Sequence, residues 1–303
     1  MKEKILIVVI GPTGIGKTSL AIKLAKHFQT SIISADSRQF YKEMSIGTAV
    51  PNKEELTAVP HYFIQHKSIL DVYTVGDFER EALEVLQDLF KTTDIVLMAG
   101  GSGLYIDAVV QGLDAFPPVD EELRKKLTTE LEESGLAGLQ AQLKELDPLY
   151  WEKVDLFNPQ RVIRALEVCL SSGKPYSSFL NKNKSTRNFK TITLGITAPR
   201  SVVYDRINTR VDTMMKEGLL NEVKGLTAYA HLNALQTVGY KELFRHLKGD
   251  CSLDDAVEEI KKNTRRFAKR QGTWFRKNQN ITWVDYDLPI NTIVEILSNK
   301  LTE

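Results

Sequence analysis

Apolar residues gather in five short runs along this chain: 5–10 (ILIVVI), 31–35 (SIISA), 94–100 (DIVLMAG), 191–197 (TITLGIT) and 281–286 (ITWVDY). Runs of this length, ended by glycine or polar residues, predict strands of one sheet. Between most of them the apolar positions return at helical spacing. Residues 18–28 form one such helix. Another starts near Thr74, where Thr74 and Asp77 make a capping-box pair and Phe78, Ala82, Leu86 and Leu89 supply the apolar stripe. Strands alternating with helices predict an α/β fold with a doubly wound parallel sheet.

The rhythm breaks after the third strand. About ninety residues precede the fourth, far more than one crossover helix needs. Loop-like FPPVD (116–120) opens this excursion and NKNKSTRN (181–188) closes it, with helical patterns between. Residues 115–188 are therefore expected to be a mostly helical insertion, with 1–114 and 189–303 forming the core domain.

Composition narrows the class only slightly. A chain of 303 residues with 42% hydrophobic content and net charge +1 is ordinary for a globular protein. Near-zero net charge does not exclude a local basic surface. Cys169 and Cys251 fit no metal or redox spacing, and the five histidines form no ligand pattern. Free thiols point to the cytoplasm. The first apolar run is too short for a signal peptide, and no run approaches a membrane span.

One motif carries specific chemistry. GPTGIGKT (11–18) fits the phosphate-loop pattern at every fixed position and lies between an expected strand and an expected helix. Gly11, Gly14 and Gly16 let backbone amides turn inward, with Pro12, Thr13 and Ile15 between them; the helix adds the positive end of its dipole. Lys17 suits a terminal phosphate, and the Thr18 hydroxyl suits Mg²⁺. A nucleoside triphosphatase also needs an acid at the end of a later strand. Here DIVLMAG runs instead into GGSGLY (100–105), without one. Those glycines either admit a ligand to the backbone or make a tight turn. The second strand does end in an acid, Asp36, which either faces the ligand cleft or caps a turn.

With these residues in view, the chain resembles the tRNA dimethylallyltransferases, also called tRNA isopentenyltransferases. The likeness is carried in order by GPTGIGKT (11–18), ADSRQFYKEMSIGTAVP (35–51), GGSGLY (100–105), NPQRVIRALEV (158–168), YDRINTRVD (204–212), TVGYKEL (237–243) and NTRRFAKRQGTWFR (263–276). It implies a P-loop kinase-like core that transfers no phosphate. The implied reaction moves a dimethylallyl group from its diphosphate to the exocyclic amine of the adenine 3′ of a tRNA anticodon, with Mg²⁺. The resemblance makes Asp36 the catalytic acid-base residue and Arg210 a catalytic arginine, with Lys17 and Thr18 on the diphosphate. It implies tRNA contacts at Asp36, Ser37, Arg38, Gln39, Ser102 and Arg124, and at Gln160, Arg161, Val162, Ile163 and Arg164. The inserted helices would grip the anticodon stem-loop. The chain departs from the family pattern at Gly14-Ile15, at Ser102 and through 61–78.

The chemistry is consistent with those roles. An adenine amine becomes acidic as it attacks an allylic carbon, so a carboxylate of ordinary pKa, about 4, can accept its proton late. Cations must neutralise the departing diphosphate. Arg210 fits that task; the alternative is a surface arginine paired with an acid one turn away. Asn158 and Pro159 read as a helix start, which puts Arg161 and Arg164 at the end unfavourable for cations. Either a bound phosphate or base, or a salt bridge such as Arg164 to Glu167, offsets that. KKNTRRFAKRQGTWFRK (261–277) has no acid, and Lys261, Arg265 and Lys269, like Lys262, Arg266 and Arg270, recur every four residues. Arg265, Arg266, Lys269 and Arg270 are thus candidate RNA contacts, and Phe267 and Trp274 are expected as core anchors. A free-nucleotide prenyltransferase, a small-molecule kinase and a non-catalytic RNA-binding module are the competing readings. A monomer is expected, and no membrane association.

Overall fold

The computed structural model describes residues 3–180 and 186–302. The expected closing stretch 181–188 lies partly outside them, at 181–185. The chain divides into two compact units, 1–110 with 187–303, and 111–186.

The first unit is built on a parallel sheet of six strands: β1 (Ile5–Ile10), β2 (Ile32–Ser34), β3 (His61–Tyr62), β4 (Ile95–Gly100), β5 (Lys190–Thr197) and β6 (Ile281–Asp285). Their order across the sheet is β3-β2-β4-β1-β5-β6. The five expected strands are all present. β3 was not expected, because two residues leave no readable alternation.

β1 runs centrally, Ile5 beside Ile95 of β4 and Lys190 of β5. Its side chains alternate between two cores. Leu6, Val8 and Ile10 face one with Phe78, Ala82 and Leu86; Ile5, Ile7 and Val9 face the other with Ala21, Leu24 and Ile207. Both faces are covered, so β1 reads as an unbroken apolar run. The helix Val75–Leu89 begins with the capping box, Thr74 accepting from the Asp77 amide while the Asp77 carboxylate accepts from the Thr74 amide.

The second unit holds helices Glu121–Ser134, Leu136–Leu146 and Pro159–Ser172 around Leu127, Leu139, Leu143, Val162, Ile163 and Leu166. Asn158 caps the last of these, accepting from the Arg161 amide. The boundary is secured within the sheet unit. Arg187 donates to the carbonyls of Ala108 (2.7 Å) and Val109 (2.8 Å) and pairs with Glu79. Among the described residues no helix is long and apolar enough to cross a membrane.

Candidate active site

The carboxyl ends of β1, β2 and β4 meet at a cleft, as expected for an open α/β sheet. After β1 the chain turns through Gly14 (φ 82°) and Gly16 (φ 105°), left-handed conformations that suit glycine. Gly16 begins the helix Lys17–Phe28 with no side-chain cap among the described residues, and first-turn amides of this kind suit an anion. Ile15 is buried, so it offers the cleft only its backbone. Lys17 Nζ donates to the Pro12 carbonyl at 3.0 Å. Arg206 braces the loop from outside, donating to the Ile15 carbonyl at 3.0 Å with its guanidinium 4.7 Å from the Tyr286 ring centre.

Two cavities open here. The larger, about 890 Å³, is lined by Thr13, Asp36, Ser37, Arg38, Ser102 and Arg210 among others. The smaller, about 80 Å³, is bordered by Lys17, Thr18, Ala21, Ile32, His61 and Ile64, with Thr13, Asp36 and Arg210 shared. Asp36 and Arg210 therefore reach both. Arg210 forms no ion pair among the described residues, which removes the alternative of an acid partner one turn away.

Electrostatics tie these groups together. Burial lowers the Lys17 ammonium to about 8, against the opposing pull of Asp36 and with a further push from Arg210. Burial raises the Asp36 carboxyl, while Lys17, the Arg38 amide, Arg38 and Arg210 draw it back down. This corrects the expected ordinary carboxylate: Asp36 is a stronger base than an exposed aspartate. Desolvation also lowers Arg210, with Asp36 and Glu55 countering.

Beside Asp36, the Ser37 amide donates to Ser102 Oγ at 3.0 Å, and that hydroxyl donates to Ser37 Oγ at 3.1 Å. Gly101 and Ser102 thus belong to the cleft, not merely to a turn. Arg38 and Gln39 are committed to the framework. Arg38 Nη1 donates to the carbonyls of Asn233 (3.1 Å) and Ala234 (3.2 Å), and Gln39 Nε2 to those of Thr48 (3.2 Å) and Ala49 (2.8 Å).

Comparison with known proteins identifies the family. The IPP transferase family profile matches residues 39–278. The tRNA dimethylallyltransferase of Christiangramia forsetii is 56% identical, covering 98% of both chains. The solved tRNA isopentenylpyrophosphate transferase of Bacillus halodurans is 36% identical with a TM-score of 0.73, covering 99% of this chain and 97% of that one. A eukaryotic dimethylallyltransferase, solved acting on tRNA, gives 29% and 0.78, covering 93% of this chain and 74% of its own. The chain belongs to the tRNA dimethylallyltransferase family. The P-loop kinase-like fold of these enzymes is the fold described above.

The structure adds two residues that the sequence did not single out. Glu222 accepts hydrogen bonds from three successive amides, Ser45 (3.0 Å), Ile46 (2.8 Å) and Gly47 (3.0 Å), and from the Tyr240 hydroxyl at 2.5 Å. It fixes the segment that carries Gly47, Thr48 and Ala49 to the cavity walls. Gln271 spans the phosphate loop and the β4 turn. Neither side chain has a local sequence signal, since its partners lie far away in the chain.

In the helical unit, Gln160 and Arg161 are exposed at the helix start, as a surface contact requires. Val162 and Ile163 are not available: at 0% and 1% exposure their side chains fill the core. Arg164 Nη1 lies 3.2 Å from Glu167 Oε2, so the salt bridge forms. Arg124 Nε comes within 2.8 Å of Glu167 Oε1, off the hydrogen-bond axis.

On the helix Leu253–Phe275 the basic residues are not one ridge of equal cations. Lys261 is paired with Asp212 and Glu258, and Lys262 with Glu259. Arg265 Nη1 donates to Asn208 at 2.7 Å. Arg266, Lys269 and Arg270 are exposed and form no ion pair among the described residues. Phe267 (40% exposed) and Trp274 (36%) line the larger cavity, not the core. Their helical neighbours Ala268 and Phe275 take the buried positions.

Proposed function

We propose that this protein transfers a dimethylallyl group from dimethylallyl diphosphate to N6 of the adenine immediately 3′ of a tRNA anticodon, releasing diphosphate. One observation carries the reading: a half-buried carboxylate, Asp36, stands with Lys17 and Arg210 where the phosphate loop meets a cavity large enough for a base. The diphosphate lies on the loop of Gly11, Pro12, Thr13, Gly14, Ile15 and Gly16. N6 attacks the allylic C1 as the C1–O bond breaks; the departing charge falls to the loop amides, Lys17 and Arg210. The N6 proton passes to Asp36. The adenine must leave the anticodon stack to reach the cleft.

The donor set also suits Mg²⁺. Among the described residues no group of three or more His, Cys, Asp or Glu is placed to hold a metal. Mg²⁺ needs no such cage, because it keeps several waters and takes its other oxygens from phosphates and one or two protein groups. Thr18 Oγ1 is the residue to hold it, and the ion would neutralise diphosphate charge. Basic residues Arg265, Arg266, Lys269 and Arg270, with Arg124, Gln160, Arg161 and Arg164 of the helical unit, supply the tRNA contacts, and Ser37 and Ser102 border the base.

The test is single-turnover transfer of labelled dimethylallyl diphosphate with Mg²⁺ to three acceptors: tRNA with adenine at that position, the same tRNA with guanine, and AMP. Label on the adenine tRNA alone is expected; label on AMP would sink the tRNA reading. Asp36→Asn should lower the rate by roughly 10²–10⁴-fold. The pH profile of kcat/KM adds a second check. Asp36 works deprotonated, so its raised pKa moves the acid limb above the ordinary carboxylate range. Lys17 works protonated, so its lowered pKa brings the alkaline limb down to about 8. Limbs near 4 and 10 would contradict these assignments.

A further inference from the structure

Gln271 sits on the helix Leu253–Phe275 and is buried to 6% exposure, unusual for an amide in a long basic segment. Its Oε1 accepts from the Thr13 amide at 2.9 Å, and its Nε2 donates to the Gly101 carbonyl at 2.9 Å. The orientation of this amide is forced, since Thr13 offers only a donor and Gly101 only an acceptor. Position 101 is shaped to receive it: a Cβ there would lie 2.3 Å from Nε2.

β1 and β4 stay paired up to Ile10 and Gly100. Beyond that pair, the hydrogen bonds that join the phosphate loop to the β4 turn among the described residues all pass through Gln271. The turn continues into Ser102, which is hydrogen-bonded to Ser37 beside Asp36. A connected path therefore runs from Thr13 through Gln271, Gly101, Ser102 and Ser37 to Asp36. One end holds the donor and the other holds the proton acceptor.

We propose that Gln271 is a positioning residue for the transfer reaction, setting the spacing between the donor's diphosphate and the Asp36 side of the cleft. The proposal rests on the functional reading above and deepens it. Gln271 also occupies the Thr13 amide, so at that position the loop offers the diphosphate no free backbone donor. Losing Gln271 leaves that cradle able to bind diphosphate while the reacting atoms drift apart. A displacement on the order of 1 Å in such geometry costs ~10²-fold in rate.

Two variants test this. Gln271→Met keeps the length and burial but neither hydrogen bond. Gly101→Ala keeps Gln271 but denies it the carbonyl. For each, three quantities are measured: the single-turnover transfer rate at saturating donor and tRNA, the Kd for inorganic diphosphate, and the melting temperature. The rate is expected to fall by roughly 10- to 100-fold, with the diphosphate Kd within about threefold of the parent and the fold intact at assay temperature. The double variant should be no slower than the worse single one, because both break the same link. A rate within about twofold of the parent in a folded variant overturns the proposal. Equal losses of rate and diphosphate binding also overturn it, since they would report a loosened loop. Should Gln271→Met fail to fold, Gly101→Ala decides by the same criteria. A parent protein that transfers nothing to tRNA is a different failure: it removes the functional reading, and this proposal with it.

Discussion

In the helix Pro159–Ser172 one buried carboxylate serves two arginines, whereas in Leu253–Phe275 acids gather in the first half and leave the second half to cations. Glu167, at 1% side-chain exposure, lies beneath Arg164 and Arg124, whose own side chains are 40% and 54% exposed. That carboxylate directs the Arg164 guanidinium by a hydrogen bond and holds Arg124 nearby by charge, at the cost of desolvation. The longer helix pairs Lys261 and Lys262 with acids and leaves Arg266, Lys269 and Arg270 exposed, without an ion pair among the described residues. The first arrangement orients charge; the second supplies it. A basic run is thus not one quantity, and the acids around each cation decide what it can do.

The largest expected effect comes from removing the unpaired cations together. Arg266→Gln, Lys269→Gln and Arg270→Gln combined should weaken tRNA binding roughly 10- to 100-fold at low salt and reduce the slope of log K against log salt by about 2 to 3. Filter binding across a salt series measures both, and an unchanged slope would place the phosphate contacts elsewhere. Next in size is Glu167→Ala, which strands two arginines over an empty space. Urea unfolding should show a loss of about 2 kcal/mol, less than the 3–5 kcal/mol of a fully buried pair because water reaches both guanidiniums. The smallest effect belongs to Lys261→Ala with Lys262→Ala. Their charges are already spent on Asp212, Glu258 and Glu259, so tRNA affinity should stay within about twofold. A loss matching that of the triple variant would erase the distinction between paired and unpaired cations.

Much of this was legible in the sequence, for local reasons. β1 declared itself because both faces are buried, and the phosphate loop because its glycines, Lys17 and Thr18 are contiguous. The Thr74–Asp77 and Asn158 caps were legible because their partners lie three residues away. What escaped depends on distant partners. Gln271 meets a loop 258 residues earlier in the chain, and Glu222 meets amides 175 to 177 residues earlier. Periodicity identified an amphipathic helix at Pro159 without showing that Val162 and Ile163 are on its inner side. It misplaced Phe267 and Trp274 for a related reason: large aromatics suit a core, but here the core positions go to Ala268 and Phe275. Asp36 was placed correctly at the end of β2, but its altered basicity depends on how deeply the folded cleft encloses it.

The bonds from Arg187 to Ala108 and Val109 bear on what the chain tolerates between those points. They fasten the point where the chain re-enters the sheet unit to the point where it left. Closing a loop costs free energy that grows only slowly with its length, and here the closure is made by the sheet unit itself. The excursion between them is thereby an exchangeable part. Adding or removing residues within it would cost little closure free energy, and the neck and the sheet beneath would keep their packing.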